Sequence, residues 1–566
     1  MNERTDAPLP PTDPAARLRW GVYLILISIS VGGITGRILA VNSIDKLALE
    51  SRLKDENEKT GKRPNWRQQR PFLSGNDRSR WLTVRSLVEH GTYAIDDVLQ
   101  EPGWDTIDMV RHDGHLYSSK PPLLATLLAG EYWLIHKITG RTLGTHPFEI
   151  GRFMLITINV LPLLLAFVAL GRLVERFGTT DWGRIFVMAA ATLATFLTTF
   201  AITLNNHSVA AISAILAVAA AAPLLAGENK SGWRFAAAGL CAAFAAANEL
   251  PALSLMGLLG LALLWKSPLR TLLYGLPAVL LVGAAFFAAN HAAHGQFSVP
   301  YSQRSDGRVL FDLATPGQAV SEELDQQRLP SAVRELFAAQ QLPLAETVEI
   351  EPTIPGKRWI LNDDDSNDQR RFALQVVDGE NGPRLEVRAW ANWYDYSYVR
   401  EGKRRSSYWR SMDGRSTVDK GEASRARYAL HVLVGHHGIF SLTPVWLLTV
   451  LGLALSLRQR GHALRTIAAI ISVASLACLA FYLMEGEENR NYGGTTSGLR
   501  WMFWFAPMWA LGMLPAADAA DGRRWRQIVC GVLLAFSVLS VSYPTWNPWS
   551  HPWLARLTNY LEWTTF

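Results

Sequence analysis

The residues best suited to chemistry stand between the first two apolar runs of the chain. Ser74-Gly75-Asn76-Asp77-Arg78-Ser79-Arg80 leads into apolar positions at 81, 84, 87 and 88, a helical spacing. Asn76 reads as the N-cap and Gly91 as the stop. Asp77 then falls in the first turn, where the helix dipole and Arg80 favour its ionised form, the state a general base needs. A plain surface cap with an ion pair would have the same spacing. Farther on, Met109 to Tyr117 carries Asp113-Gly114 between extended flanks, a type I′ hairpin signal. His112 and His115 straddle that turn, as an exposed pair or as two metal ligands. The hairpin delivers Tyr117-Ser118-Ser119-Lys120-Pro121-Pro122-Leu123. Prolines at the first helical positions start an amphipathic helix. Lys120 beside that start suits an anion such as a lipid phosphate, or simply snorkels.

Other candidates lie at the ends of later apolar runs. Glu249, in Asn248-Glu249-Leu250-Pro251, is a lone carboxylate near a membrane face, functional or reaching interfacial water. Arg37 near the end of the first run is a phosphate ligand or a snorkelling side chain. The loop 485–500 holds Glu485, Glu487 and Glu488, which suit Mg²⁺ or Mn²⁺ or form a solvated acidic loop. Its Gly493-Gly494 and Gly498 let backbone approach a ligand, and Arg500 suits bidentate phosphate contact. His436-His437-Gly438 opens another run. Residues 389–408 crowd Trp and Tyr among Arg and Lys, as a sugar-stacking lid or as packed core. No Walker loop, Rossmann glycines, CxxC or nucleophile elbow is present.

The elements that must position these residues are apolar helices. Of 566 residues, 49% are hydrophobic and only 18% charged, too few charges for an ordinary soluble chain. Runs at 20–41, 151–171, 185–203, 207–226, 235–249, 250–265, 271–290, 432–457, 466–484, 499–516 and 526–543 suit membrane spans. The stretch 235–265 is one long helix or two short ones meeting at Glu249. With the N-terminus inside, Arg17, Arg19, Arg172, Arg176, Arg184, Lys230, Arg234, Lys266, Arg270, Arg458, Arg460, Arg465, Arg523, Arg524 and Arg526 all fall on the cytoplasmic side. The helix over 121–138 carries Glu131, His136 and Lys137, so it is expected to lie along the outer surface. The net charge of +6 is thus explained by membrane topology, and no nucleic-acid partner is expected. The expected division is a tail at 1–19, a first helix at 20–41, an outer loop at 42–150, helices over 151–290, an outer domain at 291–431, helices over 432–543 with an outer loop at 485–498, and an outer C-terminal tail at 544–566. The first 15 residues read as a disordered tail and 46–70 as a solvated helix and loop. In the domain, 331–341 reads as helix, and 371–377 and 384–391 as strands. Cys241, Cys478 and Cys530 all sit in apolar runs, so no structural disulfide is expected.

An acidic residue opening a helix, followed by Tyr-x-x-Lys-Pro-Pro-Leu, resembles the first outer loop of the GT-C-type membrane glycosyltransferases. The similarity is greatest to bacterial aminoarabinose transferases and protein O-mannosyltransferases, which take a sugar from a polyprenyl-phosphate carrier. The resemblance covers about 75–175 and the number of helices. It implies Asp77 as the catalytic carboxylate and Lys120 as a contact to the carrier phosphate. Phe148-Glu149-Ile150-Gly151-Arg152-Phe153 is similar to the family's Ala-Arg-Leu-Pro segment, which makes Arg152 a phosphate candidate. Arg500 is another, through a Gly-x-Arg-aromatic opening seen loosely in related sugar transferases. Tyr117, Arg80, Glu249 and His207 are the candidates for substrate contact. The chain differs in having Ser119 where family members often carry an acid before the lysine. It also has Asn205-Asn206-His207 where many carry Asp, and Asn248-Glu249-Leu250-Pro251 where the aminoarabinose type has a Lys-Gly-Pro-like element.

The expectation is an all-α polytopic membrane protein of about eleven transmembrane helices with a small α/β extracytoplasmic domain. Its expected activity is inverting transfer of a sugar from a polyprenyl-phosphate donor to a hydroxyl of a glycan, lipid or protein acceptor. The site would lie at the outer face of the cell (inner) membrane. Lipid phosphate is a competent leaving group, so no cofactor is required, with a divalent metal left open. The rival reading is a transporter or flippase of a lipid-linked sugar. Such proteins usually show mid-bilayer charges and repeated broken helices, whereas here the ionisable residues crowd the outer ends. A non-catalytic glycan-binding membrane protein is a third reading.

Overall fold

A computed structural model of the protein describes residues 14–40, 72–314, 318–363, 370–379, 382–400, 402–410, 415, 417–459 and 464–563. The polar tail before Pro14 and the charge-rich 46–70 stretch lie outside the described residues. Among the described residues, seven helices are long and apolar enough to cross a bilayer: Pro14–Ala40, Pro147–Phe177, Asp181–Phe200, Asn206–Leu225, Pro268–His294, Arg465–Met484 and Arg524–Ser542. Leu250–Lys266 and Trp446–Arg458 are shorter apolar helices among them. The protein is accordingly of the helical membrane class, with fewer full-length apolar helices than the eleven runs suggested.

The difference has local causes. The run 432–457 is divided into Arg425–Leu433, Ile439–Leu442 and Trp446–Arg458, interrupted around Gly435, Gly438 and Pro444. The run 499–516 opens as a 3₁₀ turn, Arg500–Phe505, and continues as Ala506–Gly512 and Leu514–Asp518, each with proline in its first turn. The stretch 235–265 takes the two-helix alternative, Gly232–Asn248 and Leu253–Lys266 joined by the 3₁₀ turn Leu250–Ala252. The helix Pro122–Thr139 is not among the long apolar ones. It buries Leu124, Leu128 and Tyr132 and exposes Leu127, Trp133, Leu134 and Ile138.

Asn206–Leu225 is the central helix, hydrophobic all round and buried over most of its length. Its alanine-rich sequence permits close backbone approach, the usual basis of packing between apolar helices. Glycines serve the same purpose elsewhere. A methyl group added at Gly452 would collide with the Gly512 carbonyl oxygen, and one at Gly239 with the Gly275 carbonyl, lying 2.5 Å away.

The 300–389 region forms its own layer. Five antiparallel strands run in the spatial order Val309–Ala314, Gly382–Ala389, Arg370–Gly379, Arg358–Asp363 and Glu349–Ile354. Helices Gln318–Asp325 and Ser331–Ala339 cover it through Leu324, Val333 and Phe337 against Trp359, Leu374 and Leu385. Segment 390–410 returns to the first loop. There Arg111 N donates to Trp393 O (2.9 Å), Tyr396 to Met109 O (3.2 Å) and Trp409 Nε1 to Ile107 O (2.8 Å). Most of the aromatic cluster therefore packs against that loop, with His112 stacked between Tyr117 and Trp393. Gly452→Ala is expected to destabilise the protein by about 1–3 kcal/mol, the range for overpacking against backbone. Thermal unfolding in detergent measures it, and an unchanged midpoint would contradict the close helix contact.

Candidate functional site

Four local structures converge on one cavity of about 910 Å³. The first is the helix Gly75–Glu89, buried from Asn76 to Ser86. Its N-cap is Ser74, not Asn76 as the sequence suggested. Ser74 and Asp77 form a reciprocal capping box. The Asp77 carboxylate accepts from Leu73 N (3.2 Å), Ser74 N (2.8 Å), Ser74 Oγ (3.3 Å) and Arg78 N (2.8 Å). Burial pushes its carboxyl up to about 6, against those backbone donors and Arg78. One turn on, Arg80 faces the cavity.

The second is the hairpin Met109–His112 with His115–Ser118, turned by Asp113 and Gly114 at positive φ. Its register pairs Met109 with Ser118, so Asp108 falls beside Ser119, whose N–H donates to the Asp108 carbonyl (3.1 Å). Lys120 Nζ then meets Asp108 Oδ1 at 2.9 Å. The third is the start of the central helix with the break after Asn248, which brings Asn206, His207 and Glu249 together. The fourth is the glycine-rich loop before Arg500. Gly493 has φ +87°, and a Cβ there would lie 2.9 Å from Arg500 Nε, so only glycine leaves its carbonyl free to accept from that nitrogen (2.7 Å).

The polar groups form one connected chain. Arg80 donates to the Asn76 side chain (2.9 Å) and to Asn206 Oδ1 (2.5 Å). Asn206 Nδ2 donates to Glu249 Oε1, which also lies against His207 Nδ1 in a close but poorly aligned contact. His207 Nε2 accepts from Arg500 Nη1 (2.9 Å). Arginine only donates, so the proton of a neutral His207 ring sits on Nδ1, facing Glu249. Among the described residues neither Arg80 nor Arg500 has a carboxylate within ion-pair distance. Burial lowers Lys120 to about 8. Asp108 opposes that shift and the nearby Arg80 and Arg500 add to it. Burial alone would raise Asp108, but Lys120 and the two arginines more than offset it and hold it below the ordinary carboxylate range.

The other walls combine aromatic side chains with charged ones, among them Arg304, Arg415, Asp419 and Glu485. Tyr301, Tyr394 and Trp409 come from the 291–431 region, Phe481, Tyr482 and Trp501 from span ends, and Trp549 from the C-terminal segment. Arg304 lies over the Tyr394 ring at 3.9 Å. Leu250 and Phe481 also line the cavity and are exposed apolar side chains, next to helix Leu253–Lys266 and within helix Arg465–Met484 respectively.

Of the residues singled out from the sequence, the cavity gathers Lys120, Arg500, Arg80, Glu249 and His207. It leaves out Asp77, Arg152 and Tyr117. Asp77 is turned into its own cap, and together with Arg152 it lines a separate small cleft. Arg152 lies over the Phe148 ring one helical turn before it. Tyr117 points to the opposite strand face from Ser118, as strand alternation requires, and stacks on His112. Arg37 donates to Thr545 O (3.4 Å) instead of reaching the cavity. His436 and His437 pack on Tyr492. Among the described residues no three His, Cys, Asp or Glu side chains are grouped to hold a metal ion. Residues absent from the sequence reading include Asp108, Tyr301, Trp409 and Trp549, whereas Tyr394 belongs to the aromatic cluster at 389–408. Only Asp108 had a signal: extending the hairpin register by one pair places it opposite Ser119.

Two outcomes follow from this geometry. Asp77→Ala should cost about 1 kcal/mol of stability, the usual loss of a cap, read by thermal unfolding. An unchanged midpoint would remove its capping role. An anion held by Lys120 should bind best below pH 8 and weaken as pH rises through 8, where the lysine loses its proton. Asp108→Asn removes the charge that raises Lys120, so the same loss should move to lower pH. Binding of inorganic phosphate or an alkyl phosphate across a pH series checks both statements.

No protein-family model matches the chain, and no curated protein matches it, so the cavity's own chemistry carries the functional argument.

Proposed function

We propose that the protein is a GT-C-type glycosyltransferase that moves a sugar from a polyprenyl-phosphate carrier to an acceptor hydroxyl at the outer membrane face. The observation that carries this reading is the convergence of Arg80, Lys120 and Arg500 on one cavity, with both arginines held by neutral partners. Cations arranged in this way keep their charge for an incoming anion. Arg500 uses one N–H on Gly493 and one on His207, leaving three of its five donors for a phosphate. The exposed apolar side chains of Leu250 and Phe481 at the cavity suit contact with a lipid chain whose phosphate stays inside.

In the proposed step the acceptor oxygen bonds to the anomeric carbon from the face opposite the phosphate. The bond from that carbon to the phosphate oxygen breaks, and the configuration inverts. The negative charge that builds on the leaving phosphate meets Arg80, Arg500 and Lys120, the kind of fixed electrostatic stabilisation that lowers a barrier most. The acceptor's proton passes to Asp108, which lines the cavity and stays ionised beside Lys120. Asp77 acts behind it by capping the helix that carries Arg80. Glu249 and Asn206 set the orientation of His207 and so of Arg500.

The proposed topology keeps the N-terminus and the Lys/Arg-rich turns inside, with eleven crossings and the 291–431 domain outside over the cavity. It is supported by helix direction. Asn206 and Met484 are at the cavity ends of their helices, whereas Arg176 and Arg465 are at the far ends.

Reconstituted protein given polyprenyl-phosphate sugar and an envelope extract should release polyprenyl phosphate and label the acceptor. Lys120→Ala and Arg500→Ala should weaken donor binding and lower turnover by at least about 10²-fold, the scale of losing one charge-stabilising group. Sugar-carrier movement across the bilayer without cleavage would favour the transporter reading and overturn this one.

A further inference from the structure

The segment after the last long helix turns back over the cavity. Arg37 binds the Thr545 carbonyl, Ser497 N donates to Pro548 O (3.1 Å), and Asn547 Oδ1 accepts from Trp549 N (3.0 Å). Trp553 anchors the far end by donating from Nε1 to Ser540 Oγ (2.8 Å). Between these ties Trp549, Ser550 and His551 form part of the cavity wall. The Trp549 ring stands edge-on to Phe200 and lies 5.2 Å from the Arg500 guanidinium carbon.

Trp549 is 9% exposed, and its indole N–H is buried with no hydrogen-bond partner among the described residues. Other indoles in the protein are satisfied: Trp359 by Asp325, Trp409 by Ile107, Trp509 by Ser475 and Trp553 by Ser540. Trp81, Trp182 and Trp504 are also without partners, but none of them lines the cavity. A buried donor left unpaired costs stability, so one kept in a cavity wall beside a cation calls for a partner that the protein itself does not supply.

We infer that Trp549 is a ligand-binding residue of the phosphate site, donating its indole N–H to a phosphate oxygen of the carrier while its ring stacks on Arg500. This rests on the proposed polyprenyl-phosphate donor. It assigns to the C-terminal segment a direct part in recognising the anion. Stacking holds Arg500 in place and keeps water from one face of its guanidinium. The N–H then adds a neutral donor that, unlike Lys120, does not titrate.

The test uses the full chain in nanodiscs, with polyprenyl phosphate as probe and the matching polyprenol as the phosphate-free control. Trp549→Phe keeps a ring and removes the N–H, whereas Trp549→Ala removes both. Trp549→Phe should weaken polyprenyl phosphate binding about tenfold, as expected for loss of a hydrogen bond to a charged group, and leave polyprenol binding unchanged. Trp549→Ala should weaken it further. Wild-type affinity in Trp549→Phe would overturn the hydrogen-bond assignment, and so would equal losses for phosphate and alcohol. If the wild-type protein itself does not prefer the phosphate over the alcohol, the donor reading fails instead, and the two failures are distinct.

Discussion

Burying several like charges in one place is the constraint on which the rest of this structure depends. Arg80, Lys120 and Arg500 approach each other closely enough for the two arginines to depress the lysine's affinity for its proton. Removing such groups from water is costly unless each hydrogen-bond donor finds an acceptor. The fold meets that demand mostly with neutral oxygens: the Asn76 and Asn206 side chains, the Gly493 carbonyl and a histidine ring nitrogen. Of the carboxylates lining the cavity, Asp108 stands on the lysine and Glu249 behind His207, with Asp419 and Glu485 also in the wall. The charge is therefore balanced in part.

That arrangement explains several backbone features. The helix carrying Arg80 is buried along most of its length and so needs a complete N-cap, which Ser74 and Asp77 supply. The central helix begins where its first residues can reach Arg80 and Glu249. Pro251 stops the neighbouring helix at Asn248, which frees Glu249 from a helical position and turns it to His207. Gly493 adopts a conformation and a closeness that a side chain would forbid. Each irregularity occurs at an element end, and each delivers one polar group to the same space.

The sheet layer and the C-terminal segment close that space. The sheet domain has a core of its own, but its return segment is held to the first loop by backbone contacts at Ile107, Met109 and Arg111. Tyr394 and Trp409 consequently belong to the cavity, while Trp393 and Tyr396 belong to the interface. The C-terminal segment, only a tail by composition, contributes Trp549 against Arg500. Aromatic side chains and buried cations thus line one common cavity.

Hydropathy, charge placement and turn residues were enough to indicate the membrane class, the Asp113-Gly114 hairpin and the strands near 371–377 and 384–391, and to offer the two-helix break at Glu249 as one of two readings. These depend on local periodicity and turn chemistry, which a sequence carries directly. Lys120, Arg500, Arg80, Glu249 and His207 stood out as polar residues at helix starts or at the ends of apolar runs, although such positions also have bland explanations. Asp77, Arg152 and Tyr117 were misplaced for a different reason. Whether a carboxylate in a first turn faces a cavity or its own cap depends on which side of the helix the neighbours cover, and helical spacing is silent on that. The pairing of Asp108 with Lys120 followed from hairpin register, a near-local property that the sequence did contain. The meeting of residues 80, 206, 249, 500 and 549 was decided only by tertiary packing, because segments hundreds of positions apart come together through helix contacts that no local pattern encodes.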